Sequence, residues 1–260
     1  MTELRFAPLA LVLGACLLAG CGKSNILTSR DTGSSAHVAT SPSNHGTTQS
    51  GGAPTRARAL AFARAVNLTA ADVPGFTASE KHASSSASEQ RLERQMLSCT
   101  GLGSAAGGAK SIVEQGSEDF RLKRQIVDLS VSSEVSVAAS AADAARGLKA
   151  LRSAHIRGCF SSYLTHVLQG EHVAGAKPGR VSIQTGTPPA PGASGSFGWR
   201  VTATFIVHGI KLPIYLDFLG FVDGPSEVTL LSSGLLEPFP AQAQQHLYTL
   251  LLARAKAHAL

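Results

Sequence analysis

The chain has 260 residues, of which 43% are hydrophobic and 15% charged, with a formal net charge of +6. This composition is too apolar for a disordered chain, and the length suffices for one domain with a full core. The mild positive excess suits a protein close to anionic lipid or an anionic wall polymer, whereas a nucleic-acid role is disfavoured: there are only three Tyr and one Trp, and no dense basic cluster interleaved with aromatics.

Residues 1–20 open with a short charged start, Met1 to Arg5, followed by the apolar run "FAPLALVLGACLLAG". The run is too short to span a bilayer comfortably and contains Pro8, so it reads as the core of a signal peptide. Leu18, Ala19 and Gly20 lead directly into Cys21. That tetrapeptide resembles the lipobox of bacterial lipoproteins. The resemblance implies that the Cys21 thiol receives a diacylglyceryl group, that cleavage leaves Cys21 as the first residue, and that palmitate-type acyl chains on it anchor the protein to a cell membrane or envelope, facing the extracytoplasmic side. A soluble secreted protein with an accidental cysteine is the alternative.

Residues 21–54 are rich in Ser, Thr and Gly and carry no aromatic residue, so the segment after Cys21 is expected to be a disordered tether with a reach of roughly 30 Å. His37 and His45 belong to it and read as polar filler. Residues 55–260 are expected to form a single α+β domain, with no second apolar run long enough for a transmembrane helix.

Within the domain, Ser88 is placed to cap a helix through "EQRLERQMLSC", with Leu92, Met96 and Cys99 on an inward face. "IVDLSVSSEVSV" alternates Val127, Leu129, Val131, Val135 and Val137 with polar residues, the pattern of a strand with one wet face. Ser140 with Asp143 forms a capping pair for a helix whose inner stripe holds Leu148 and Leu151; Gly158 is expected to interrupt it before a second helix in "FSSYLTHVL". "WRVTATFIV", "IKLPIYLDFLGFV" and "EVTLLSS" are expected to form an antiparallel meander, turning at His208-Gly209 and Asp223-Gly224, with Pro213 at a strand start or an edge. A last helix starts near Pro240 and buries Leu247, Leu250 and Leu251. The expected fold class is α+β: an antiparallel β-sheet with helices packed on one face, and one disulfide.

That disulfide is Cys99–Cys159. Of the four cysteines, Cys16 leaves with the signal and Cys21 is lipidated, so an even pair remains outside the cytoplasm. The long loop it would close corresponds to about 4 kcal/mol in the chain-entropy model. Two free buried thiols or a redox pair are the alternatives, the latter without the usual Cys-x-x-Cys spacing.

The order of elements resembles actinobacterial lipoproteins with a PsbP-like fold, and the extracellular sensor domain of a mycobacterial serine/threonine kinase. The likeness is carried by "VNLTAADVPGF" at 66–76, Cys99, the valine-rich strand, Cys159, the meander and "LLARA" at 251–255. It implies a non-catalytic domain; the chain has no kinase part, so a signalling role is not carried over.

Motifs for catalysis fare poorly. "GLGSAA" at 101–106 has the Gly-x-Gly-x-x-Ala form but follows a helix rather than a strand, and "GGAKS" at 107–111 lacks the adjacent Gly-Lys of a phosphate loop. There is no Gly-x-Ser-x-Gly. The spacing of His155, His166 and His172 fits no metal motif. Asp217 lies in an apolar strand and is expected on its polar face. No cofactor, metal or catalytic residue is therefore assigned. The expected function is binding of a small molecule, lipid, wall component or protein partner by an anchored, non-catalytic lipoprotein; an envelope hydrolase is the alternative. Both faces of "IKLPIYLDFLGFV" are apolar, so Tyr215, Leu219 and Phe221, on the face opposite Leu216 and Phe218, are the candidate binding surface.

Overall fold

The computed structural model describes residues 53–79, 87–100, 111–170, 176–207 and 209–260. The expected signal peptide, Cys21 and nearly all of the expected tether lie outside the described residues, as do "GLGSAA", "GGAK", His172 and His208. Among the described residues no helix is long and apolar enough to cross a membrane.

The chain enters through helix α1 (Arg56–Val66), capped by the Thr55 side chain accepting from the Arg58 N–H. Ala59, Phe62, Ala63 and Val66 repeat at helical spacing and are all buried. A short 3-10 turn (Ala70–Asp72) leads to strand β1 (Thr77–Ser79), and helix α2 spans Ala87–Thr100. Strands β2 (Ser111–Gly116) and β3 (Asp119–Arg124) pair antiparallel with successive halves of one long strand, β4 (Val127–Ala138). The tight β3–β4 turn places Gln125 at φ 52°.

Helix α3 (Ala141–Leu151) begins at the expected cap: Ser140 Oγ accepts from the Asp143 N–H at 3.2 Å. Helix α4 (Ala154–Gly170) follows after a break at Arg152 and Ser153. Gly158 therefore lies inside α4 and does not interrupt it; the missing side chain costs helix propensity, but the preceding break has already separated the two helices.

The expected meander is present in β6 (Gly195–Val207), β7 (Ile210–Asp223) and β8 (Ser226–Leu235), preceded by the edge strand β5 (Ala176–Gly186). Both meander turns use glycine at positive φ, Gly209 at 82° and Gly224 at 55°. Pro213 sits early in β7, before the pairing with β8 begins at Ile214–Leu235. Helix α5 (Ala241–Ala257) closes the domain, burying Leu247, Leu251 and Leu252.

The eight strands form one antiparallel sheet in the order β1-β3-β4-β8-β7-β6-β5, with β2 also pairing with β4. The expected antiparallel sheet with helices and one disulfide is thus the observed architecture. The placing of all helices on one face needs correction: helices pack on both faces. On one face, α2, α3 and α4 cover Trp199, Val201, Phe205, Leu216 and Phe218. On the other, α1 and α5 cover Phe120, Val131, Val135, Val137, Phe221, Val228 and Leu230. The reason lies in the period-two register. The apolar side chains of β4 and those of β6 point to opposite faces, so each half of the sheet needs its own covering layer.

The disulfide joins Cys99 at the end of α2 to Cys159 inside α4, with Cα atoms 5.7 Å apart. Cys159 is buried, whereas Cys99 is exposed rather than inward-facing, because it lies in the last turn of α2.

Candidate functional site

The face of the sheet beneath α2–α4 is apolar along β6 and β7 but polar along β4. Ser130, Ser132, Glu134 and Ser136 point to this face, since Val131 and Val135 point to the other. Register brings further polar groups beside them. Arg121 of β3 pairs with Ser130, Glu114 of β2 with Ser136, and from β8 Ser233 pairs with Ser130, Thr229 with Glu134 and Glu227 with Ser136. The face expected to be wet is thus largely inside the protein: Ser130, Ser136, Glu227 and Thr229 are all buried.

At one end of this stripe is a small cleft of about 20 Å³, lined by Asp119, Ser130, Ser132 and Ser233 over a floor of Leu216, Phe218 and Leu231. This is room for about one water or the terminal group of a larger molecule. The Ser130 and Ser233 hydroxyls share a hydrogen bond of 2.8 Å. The Asp119 carboxylate accepts from Arg121 Nε at 2.8 Å and from the Ser79 hydroxyl at 3.4 Å. Its charge is therefore paired, and the cleft presents fixed hydroxyls beside an ion pair.

At the other end sit three carboxyl groups. Burial raises the pKa of Glu114, opposed by a hydrogen bond with Glu134. Burial, then the charge of Glu114, pushes Glu227 up to about 8. Glu227 is consequently a neutral acid at pH 7, lying beneath α3 where the backbone passes at Gly147. Its Oε1 and the Thr229 hydroxyl are buried with no hydrogen-bond partner. Sequence reasoning missed this group, because Glu114, Glu134 and Glu227 lie on three different strands and only register assembles them.

The sequence-based candidate surface divides. Phe221 is fully buried, edge-on to Tyr248 of α5 with ring centroids 5.7 Å apart, so it is core and cannot belong to a binding surface. α5 is the element that covers it. Leu219 packs partly buried against the same layer, and Tyr215 is half-buried. Asp217 points to that same face, where it is 3% exposed and bound in two-point fashion by Arg200, at 2.7 and 3.2 Å. That hydrogen bond, against burial, raises the Arg200 pKa.

Among the described residues one cluster, Cys99, His155 and Cys159, brings three potential metal-ligand atoms within 4.8 Å of one another. The two sulfurs are bonded to each other, which leaves the imidazole as the only available ligand. His166 is exposed on α4.

No known family, curated protein or solved structure matches this chain.

Two segments singled out in the sequence, 66–76 and 251–255, bond to each other. Asp72 accepts from Thr69, forming a capping box, and its carboxylate is gripped by both terminal nitrogens of Arg254, at 2.7 and 2.8 Å. Burial would raise the Asp72 pKa, but the hydrogen bonds from Arg254 and Thr69 outweigh it and hold the carboxyl below its ordinary range.

Proposed function

We propose that this protein is a membrane-anchored extracytoplasmic lipoprotein, tethered through acyl chains on Cys21, that binds a ligand without transforming it. The observation that carries the binding part is the cleft in which Ser130, Ser132 and Ser233 converge over Leu216, Phe218 and Leu231. Hydroxyls already hydrogen-bonded to one another, beside a carboxylate already paired with Arg121, are pre-oriented for recognition. Its size fits a hydroxyl or amine group at the end of a larger molecule, such as a wall component or small polar metabolite, more of which would rest on the surface. The extracytoplasmic part is supported by the lipobox-like "LAGC" and by the Cys99–Cys159 disulfide, a bond that persists in oxidising compartments.

The test is a thermal-shift titration with soluble wall-glycan fragments and, separately, short-chain phospholipids, on the wild type and on Ser132→Trp, whose indole would fill the cleft. A saturable rise in Tm with one of these probes, lost in Ser132→Trp while the unliganded Tm is unchanged, is the expected result. No shift with either probe, or a shift that the tryptophan leaves intact, would contradict the proposed site.

A further inference from the structure

The disulfide is asymmetric. Cys99 is exposed at the end of α2, while Cys159 is 5% exposed inside α4. Four residues before Cys159, and so on the same face of α4, stands His155. Its Nε2 lies 2.8 Å from the backbone oxygen of Cys99 and 3.8 Å from Cys159 Sγ. A carbonyl oxygen can only accept, so this contact requires the proton to sit on Nε2. That N–H is directed to the Cys99 carbonyl, and the buried sulfur lies 3.8 Å from the same nitrogen.

We propose that the Cys99–Cys159 bond is an exchange site for an external dithiol reductant, with Cys99 as the sulfur attacked and Cys159 as the thiolate that leaves under His155. A thiolate of the reductant attacks Cys99 Sγ, the S–S bond breaks, and its electron pair goes to Cys159 Sγ. As charge builds on Cys159 Sγ, the Nε2–H of His155, which the Cys99 carbonyl holds in the oxidised protein, turns to that thiolate, which would otherwise be a charge formed in a buried position. The second thiolate of the reductant then attacks the reductant sulfur of the mixed disulfide and displaces Cys99 as a thiolate, which takes a proton from water. Cys159 Sγ then also takes a proton from water, so the protein gains two electrons and two protons, and the reductant, whose two thiol protons went to water when it formed its thiolates, departs as its own disulfide. Attack at the opposite sulfur would have to reach the buried Cys159 and expel a thiolate at Cys99 without the same proximity to the imidazole. The partner is thus a dithiol small molecule or an oxidoreductase that presents one to the end of α2.

The regiochemistry tests this in the unaltered protein. The oxidised full chain is treated briefly with glutathione, quenched in acid, alkylated and mapped by peptide mass spectrometry. Glutathione on Cys99 with the alkyl group on Cys159 is the expected pattern; glutathione on Cys159, or an even distribution, would overturn the proposal. His155→Ala provides the second readout. Initial reduction by dithiothreitol is expected to slow by roughly 3- to 10-fold, because a leaving thiol of higher pKa departs more slowly, with the urea midpoint of the oxidised protein unchanged. An unaltered rate in a folded variant would equally overturn it. Should the variant not fold, the mapping in wild type decides alone.

Discussion

The two hydrophobic layers on either side of the sheet differ in how they are tied down. The layer of α1 and α5 is joined by hydrogen bonds between residues far apart in the chain. Ser133 Oγ donates to Asn67 Oδ1 and accepts from the Leu68 N–H, both at 2.8 Å, and Asn67 donates to the Gln115 carbonyl. Gln244 of α5 donates to Ser232, and Arg254 clamps Asp72. The layer of α2, α3 and α4 carries a covalent bond instead, together with an aromatic group in which Phe160 meets Trp199 at 5.2 Å and Phe218 at 5.7 Å. It also contains the buried carboxyl of Glu227, an oxygen of which has no partner. Both layers hold buried polar atoms without a hydrogen-bond partner, Gln115 Oε1 and the Tyr248 hydroxyl in the first, Glu227 Oε1 and the Thr229 hydroxyl in the second. Only the second has the crosslink and a fully buried carboxyl group, Glu227 beneath α3, whose pKa is pushed up to about 8. A carboxyl group taken wholly out of water is costly and stays neutral instead of charged, so the two layers differ in buried charge chemistry as well as in the covalent bond.

The largest expected difference is within the first layer. Phe221→Ala should lose about 3–5 kcal/mol in urea unfolding, as a core cavity, whereas half-buried Tyr215→Ala should lose about 1 kcal/mol or less. Similar losses at both positions would mean that Tyr215 is as firmly packed as Phe221.

For the second layer, Cys99→Ser with Cys159→Ser should cost about 2–4 kcal/mol, with the fold retained at low temperature. Circular dichroism across a thermal scan checks this. Mass spectrometry of unreduced peptides should show Cys99 and Cys159 linked.

Glu227→Gln should act in the opposite direction. The wild-type carboxyl holds its proton up to about pH 8 when folded and releases it near 4.5 when unfolded. Between those values the folded state binds more protons, so its stability falls as pH rises. The amide removes that dependence. The variant should therefore exceed wild type by on the order of 3 kcal/mol at pH 8 and by little at pH 4, measured as urea midpoints at the two pH values. Parallel pH curves for the two proteins would show that Glu227 is not held neutral.

The smallest effect is at the clamp between the termini of the domain. Arg254→Met should lose about 1–2 kcal/mol at neutral pH. Because Asp72 has a lowered pKa, that stabilisation exists above the ordinary carboxyl range and fades as pH falls through the folded value. The deficit of the variant should accordingly shrink in acid, where denaturation curves of the two proteins converge.

What could be read from the sequence follows from what is local. The meander, the Ser140 cap, the final helix and the cysteine pair each have a short-range signal: alternation, a Ser-x-x-Asp spacing, a 3.6-residue stripe, a count. Strands β2, β3 and β5 were not read, since "SIVEQG", "DFRLKR" and "AKPGRVSIQTG" mix charges, Gly and Pro with few apolar residues. They are held by pairing with apolar neighbours rather than by their own pattern. Helix α1 has a weak apolar stripe, since two of its four buried residues are alanine and three arginines interrupt it. The polar site lay beyond reach for a different reason. Ser130, Glu134 and Glu227 look like solvent-facing residues of half-buried strands, and only the β2-β4-β8 register, with α3 passing over Glu227, brings them together. Phe221 was misplaced by the same gap, since the sequence does not say which face α5 will cover.

The reading of this chain as an acyl-anchored extracytoplasmic binding protein is tested most directly at Cys21. Cells expressing the full chain or its Cys21→Ser variant would be grown with labelled palmitate and fractionated. The wild type should carry label and stay with the membrane, and Cys21→Ser should carry none and be released. A wild type without label, or a Cys21→Ser variant retained in the membrane, would contradict it.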